Sequence, residues 1–165
     1  MGFQLESDAR RLMEVLPERF NRFELKLHPE KTKLIPFGKP PRSGKPKGSL
    51  DFLGFTFYWG KSLKGNWVIK KQTARKRRNR FMRMLWNWCK ENRHDPLKDQ
   101  HEILCSKLRG FYQYFGVRSN HKVLEVVYEY AEKAWRRWLG RRDRDRYISH
   151  EKFRRILTTF PLPRP

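Results

Sequence analysis

The hydrophobic pattern settles into helical period near Thr73, and that change constrains the fold more than any single motif. From there on, apolar residues recur at helical spacing in three long stretches, each closed by a stop signal. Phe81, Met84, Leu85 and Trp88 share one face of the first stretch, which ends across Asn92 to Pro96. His101, Leu104, Leu108, Phe111 and Phe115 align in the second, from about Leu97 to Gly116. Asn120 stands where a cap for the third belongs, with Val123, Val127, Tyr130, Ala134 and Trp138 inward and Gly140 at the end. Ser149 is placed to cap a fourth, shorter helix with Phe153, Ile156, Leu157 and Phe160 facing in. Pro161, Pro163 and Pro165 then hold an extended tail. Apolar stripes of this kind must bury one another, which predicts a helical bundle.

Upstream of Thr73 the pattern is mixed. Ala9, Leu12, Met13, Leu16, Phe20 and Phe23 form a helical stripe over residues 5–23. Ser7 is the expected N-cap, Asp8 lies in the first turn, and Pro17 is expected to kink the helix or restart it. Residues 24–27 and 34–37 read as short strands around a turn at His28 to Lys31, with Pro36 placing the second at a sheet edge. Residues 38–49, rich in Gly, Pro, Lys, Arg and Ser, read as a loop. Residues 50–59 are the most strand-like run, and Gly54 within it permits a bulge or a close backbone approach. A turn at Gly60 to Gly65 and a return over Trp67 to Ile69 predict a hairpin over 52–70. The fold class is therefore expected to be α+β and mainly α. Residues 1–69 would hold a small α/β element with a β-hairpin, and residues 70–165 a three- to four-helix bundle.

Charge narrows the partner. Of 165 residues, 39 are Lys or Arg and 17 are Asp or Glu, so the formal net charge is +22. Such an excess repels itself in a compact chain, and a polyanion relieves it. Disorder does not follow, because 12 Phe, 6 Tyr and 6 Trp supply material for a core. No apolar run is long enough to span a membrane, and the N-terminus does not read as a signal peptide. Gly2 with Ser7 is one residue out of register for myristoylation. Cys89 and Cys105 are too few for a disulfide scaffold, so reduced thiols and a cytoplasmic setting are expected.

The cations are concentrated. Between residues 70 and 93 stand Lys70, Lys71, Arg75, Lys76, Arg77, Arg78, Arg80, Arg83, Lys90 and Arg93, against one acid, Glu91. A solvated helix face ordinarily mixes signs. A helix with one apolar and one cationic face docks on a core and offers the rest to phosphates. Farther on, Arg109-Gly110-Phe111-Tyr112-Gln113-Tyr114-Phe115-Gly116 interleaves aromatics with cationic and amide groups. At helical spacing Phe111 and Phe115 belong to the core. Tyr112 and Tyr114, with Arg109 and Arg118 nearby, are the candidates for stacking on unpaired bases.

Metal and catalytic signals are weaker. Cys89, His94, His101 and Cys105 lack the close ligand pair that structural zinc favours, so buried thiols and surface histidines are expected instead. Phosphoryl transfer needs carboxylates that hold two metals close together. Asp143 and Asp145 sit in Arg141-Arg142-Asp143-Arg144-Asp145-Arg146, where solvated ion pairing is the better reading. Asp8, Asp51, Asp95 and Asp99 are isolated, and no P-loop, dinucleotide loop or Ser-His-Asp signature is present.

Several runs, in order, resemble one family. Pro17-Glu18-Arg19-Phe20, followed by Leu25-Lys26-Leu27-His28-Pro29-Glu30-Lys31-Thr32-Lys33-Leu34, resembles the segment after the catalytic strand of group II intron reverse transcriptase/maturases. Asp51-Phe52-Leu53-Gly54-Phe55-Thr56 resembles the next block, at the end of the palm. Lys71 to Arg80, Asn92-Arg93-His94, Leu108 to Gly116 and Phe160 to Pro165 are similar to the thumb and maturase domain X. The resemblance implies a C-terminal portion of such a protein, with a palm remnant before residue 70 and thumb and domain X after it. It implies RNA-directed DNA synthesis, intron splicing and mobility for the full-length protein. The Tyr-x-Asp-Asp strand that binds Mg²⁺ in the family is absent, so no catalytic residue and no cofactor are expected in this chain, and no polymerase activity from it alone. Lys31 falls where the family has a palm lysine near the incoming triphosphate, and Phe52, Leu53, Gly54 and Phe55 fall in a primer-grip-like block. Intron RNA or primer–template duplex is the implied partner. The alternative is a module that dimerises through its helices, or one that completes a polymerase in trans with a missing N-terminal portion.

Overall fold

Three of the apolar stripes face one another. In the computed structural model, which describes residues 2–42, 44–46, 48–142 and 147–165, they become α2 (Arg75–Glu91), α3 (Leu97–Phe115) and α4 (His121–Leu139). Leu85 from α2, Leu104 and Leu108 from α3, and Val127, Ala131, Ala134 and Trp135 from α4 are fully enclosed. A shorter α5 (His150–Thr159) adds Phe153 to this core, and the tail behind it adds Leu162. The Ser149 cap forms as expected, its hydroxyl accepting the Lys152 N–H. Ahead of the bundle come α1 (Glu6–Asn21) and the strands β1 (Leu50–Phe52), β2 (Phe55–Lys61) and β3 (Trp67–Thr73), in one antiparallel sheet of order β1-β2-β3. The fold is α+β and mainly α. Among the described residues no helix is long and apolar enough to cross a membrane.

A buried amide organises the core. Gln100 donates to the Asn92 carbonyl at 2.8 Å and the Asp95 carbonyl at 2.9 Å, and its oxygen accepts the Trp135 indole N–H at 2.8 Å. The α2–α3 connection is thereby tied to the C-terminal part of α4, with every polar atom of that side chain paired. A second buried amide joins sheet to bundle. Asn120 does lie at the start of α4, but its side chain does not cap that helix. It accepts the Thr73 N–H at 2.9 Å and donates to the Thr73 hydroxyl at 2.7 Å and the Phe115 carbonyl at 2.8 Å. The end of β3 and the end of α3 are locked together at one point. The boundary expected at residue 69 or 70 consequently falls inside a continuous strand.

Other expectations in the first half change. Leu5, in extended conformation, takes the N-cap position of α1, while Ser7 lies inside the helix and makes no cap. The helix runs on through Pro17. The strands expected over 24–27 and 34–37 do not form. Glu24 instead adopts φ 58°, and the Glu24 and Leu25 N–H groups donate to the Asn21 and Phe20 carbonyls at 3.1 Å each. That is a Schellman closure with glutamate in the position usually held by glycine. Residues 50–59 do not form one strand. Leu53 (φ 48°) and Gly54 (φ 81°) form a two-residue turn that pairs Phe52 with Phe55, so the run folds back on itself. Both turn residues have positive φ, as a type I′ hairpin turn requires. The one hairpin expected, over 52–70, forms as the second of two and is shifted to 55–73, with Phe55 opposite Thr73 and Lys61 opposite Trp67. Part of the loop before β1 lies on this sheet. The Trp59 and Trp67 indoles donate to the Phe37 and Pro41 carbonyls, and Phe37 stacks on Trp59.

Candidate nucleic-acid interface

The cationic helix is α2. It carries seven Lys or Arg residues and one acid, whereas α4, two residues longer, carries four and three. Leu85 and Cys89 bury one side of α2. Lys76, Arg80, Arg83 and Lys90, at spacings that share a helix face, remain exposed. Among the described residues the ion pairs are Arg10–Glu6, His121–Glu125 and Arg155–Glu151, and none involves α2. The first turn of α2, Arg75-Lys76-Arg77-Arg78, has no acid and no side-chain cap. Cations there oppose the helix dipole and crowd unpaired N–H groups, an arrangement that an anion relieves.

Two clefts flank this helix. One, of about 430 Å³, lies between the Leu53–Gly54 turn, α2 and the end of α3. Phe81, Met84, Phe111 and Phe115 give it an apolar floor, and Arg77 and Arg80 line it with Tyr114. The turn is fixed in place because the Ala74 N–H, just before α2, donates to the Gly54 carbonyl at 2.8 Å. The other cleft, of about 340 Å³, is lined by Asn79, Met82, Arg83, Trp86 and Tyr130. Trp86 packs edge-on against Trp138 at 5.4 Å. The aromatic wall of this second cleft was not foreseen, although Trp86 lies one helical turn beyond Arg83 and so shares its face.

The candidate residues separate accordingly. Arg77, Arg80, Leu53, Gly54 and Tyr114 converge on the first cleft, and Arg83 reaches the second. Phe52 is exposed, and Phe55 packs against the core. Tyr114 is 57% exposed, whereas Phe111 and Phe115 are buried as expected. Tyr112 leaves the pair. Its ring packs against the core, its hydroxyl is buried without a hydrogen-bond partner among the described residues, and burial, with Tyr128 and Glu132 nearby, raises its pKa. A ring so placed is not offered to a base. Lys70 and Lys71 lie on β3. Lys71 sits over the Phe55 ring at 5.4 Å, and the Ser119 hydroxyl accepts its backbone N–H and donates to its carbonyl. Arg75 and Lys76 are exposed and Arg78 is half-buried at the start of α2. Arg109, Arg118 and Lys31 are exposed and line neither cleft, Lys31 on the turn after Pro29.

The metal candidates do not assemble. Cys89 is buried, and desolvation pushes its thiol up to about 12, opposed by the Lys107 charge. Cys105 lies 3.2 Å from His101 Nε2, itself 2.9 Å from the Pro161 carbonyl. Among the described residues no three His, Cys, Asp or Glu side chains group as metal ligands. Asp143 and Asp145, read above as ion-paired acids, lie outside the described residues. Comparison of the chain with protein-family models, with curated proteins and with solved structures finds no match.

Proposed function

We propose that this chain binds RNA along α2, as the thumb and maturase portion of a group II intron-encoded reverse transcriptase, and does not polymerise by itself. The observation that carries the reading is the segregation of charge on α2: seven cations, one acid, and no carboxylate partner among the described residues. Duplex RNA is held through shape, phosphate and 2′-OH contacts rather than base edges. A cationic face beside a closed core suits that role. In the full-length protein such a portion would serve intron splicing, mobility and RNA-directed DNA synthesis, with Mg²⁺ and its carboxylates contributed from elsewhere.

Phosphate neutralisation has a quantitative signature. With about six contacts to a duplex, log K falls against log[salt] with a slope near −5. Lys76→Glu separates binding from structure. An acid in the first turn of α2 complements the helix dipole and stabilises the fold by about 0.5 kcal/mol. The same change removes one phosphate contact and lowers the salt slope by about 1. Higher thermal stability with weaker RNA binding is therefore expected, measured by melting and by fluorescence anisotropy across a salt series. A flat salt response in the parent protein, or unchanged RNA affinity in Lys76→Glu and in the double variant Arg80→Glu/Arg83→Glu, contradicts the reading.

A further inference from the structure

We infer that the cleft between the Leu53–Gly54 turn, α2 and the end of α3 seats one unpaired base of a single RNA strand, with Arg77 and Arg80 holding the neighbouring phosphates. The inference rests on the RNA-binding reading and deepens it. Phosphate contacts along α2 hold paired and unpaired strands alike. This cleft tells them apart.

Its chemistry is that of a nucleotide site. A cleft of about 430 Å³ lies within the size range of small-ligand sites, which combine apolar walls with a few placed polar groups. Here the apolar part is aromatic and thioether with Leu53 at the turn, and the charged part is two guanidiniums one helical turn apart. No carboxylate among the described residues lines it. An apolar peptide side chain would satisfy the floor and leave the arginines unused. A bare phosphate would do the reverse. A planar base joined to phosphates uses both.

The stacking surface is already in position. Tyr114 lies nearly parallel to Phe55, with ring centroids 5.9 Å apart and 16° between planes. It meets Phe115 edge-on at 4.7 Å, and its hydroxyl donates to the Leu53 carbonyl at 3.0 Å. A ring held on several sides yet more than half exposed loses little freedom when a base covers it. The Leu53–Gly54 turn supplies that anchoring carbonyl, which gives the turn's unusual backbone a purpose: a residue with φ 48° holds the aromatic platform at the lip of the cleft.

The test compares an unstructured RNA strand with a fully paired duplex of equal length, by anisotropy titration at several salt concentrations. Tyr114→Leu should weaken strand binding by about tenfold, leave duplex binding within twofold, and keep the salt slope. Tyr114→Phe, which keeps the ring and loses only its tie to the Leu53 carbonyl, should weaken strand binding by clearly less than Tyr114→Leu does. Arg80→Gln should weaken both ligands and reduce the slope. Equal losses for strand and duplex in Tyr114→Leu, no loss for the strand, or a loss in Tyr114→Phe as large as in Tyr114→Leu overturns the base seat. In those cases steep salt-dependent binding by the parent leaves the α2 reading standing. If the parent binds neither ligand, both readings fall.

Discussion

The first 35 residues and the helical body contain the same ingredients and end differently. In α1, Leu12, Met13, Leu16 and Phe20 recur at helical spacing, as Leu104, Leu108, Phe111 and Phe115 do in α3. Yet Ala9 is the buried residue of α1, while α3 buries six. Phe3, Leu5, Val15, Phe23, Leu25 and Leu34 are all more than 40% exposed. The difference is a partner surface. The stripes of α2, α3 and α4 meet one another, whereas the stripe of α1 has no comparable face to meet within the described residues. Amphipathic spacing makes a helix; complementary stripes make a core. The charged helix α2 belongs to the second class, so its cationic face is presented by a body that holds its shape.

The strongest way to sharpen that comparison is Trp135→Ala. The indole is fully buried, meets Phe153 edge-on at 5.9 Å, and donates to Gln100. Its removal leaves a large cavity and an unpaired amide oxygen in the network that ties α2 to α3. A loss of about 3–5 kcal/mol in urea unfolding is expected. A loss under about 1 kcal/mol would mean that the body is no better packed than α1.

Asn120→Ala comes next in size, because it cuts the link between sheet and bundle without opening a large cavity. The Thr73 N–H, the Thr73 hydroxyl and the Phe115 carbonyl each lose a buried partner. With each orphaned group costing about 1–3 kcal/mol and water reaching some of them, a loss of about 2–3 kcal/mol is expected in the same unfolding experiment. If β-sheet and bundle then unfold in two separate steps, Asn120 is what makes them one cooperative unit. If stability does not change, the sheet is held by Phe55 and Tyr114 instead.

Much of the body was legible because its signals are local and redundant. The stretch 97–115 has a stripe, a preceding proline and a following glycine. Ser149 has a free hydroxyl three residues before the N–H it accepts. Asn120 shows the limit, since its position at the head of α4 was readable but its bonds to Thr73 and Phe115 depend on a chain crossing that spacing does not encode. The strands expected over 24–27 and 34–37 failed for a related reason. Two or three alternating residues make a strand only beside another strand, and Glu24 was already committed to closing α1. At the candidate site the charge run was plain, but its division between two clefts was not. The Leu53–Gly54 turn interrupts an alternation that continues on either side of it, and leucine is not a residue that announces positive φ. Tyr112 and Tyr114 are two positions apart on one helix, so they point in different directions, and one of them was bound to turn inward.

The smallest effect is the one that can break the comparison outright. Phe23 is 72% exposed just beyond the end of α1, and a residue so placed returns little apolar surface to water when it is changed. Phe23→Ser should therefore alter unfolding stability by no more than about 0.5 kcal/mol. The same substitution in a buried stripe, Phe111→Ser, exposes the contrast, since it removes a ring stacked on Phe81 at 4.2 Å and puts a hydroxyl among apolar neighbours. Phe23 also lies within the Schellman closure, so the substitution leaves the backbone bonds of Glu24 and Leu25 intact and probes the side chain alone. A loss of about 2 kcal/mol or more in Phe23→Ser would show that α1 buries its stripe in solution after all. The difference between the two regions would then lie in which partner each stripe meets, and not in whether it has one.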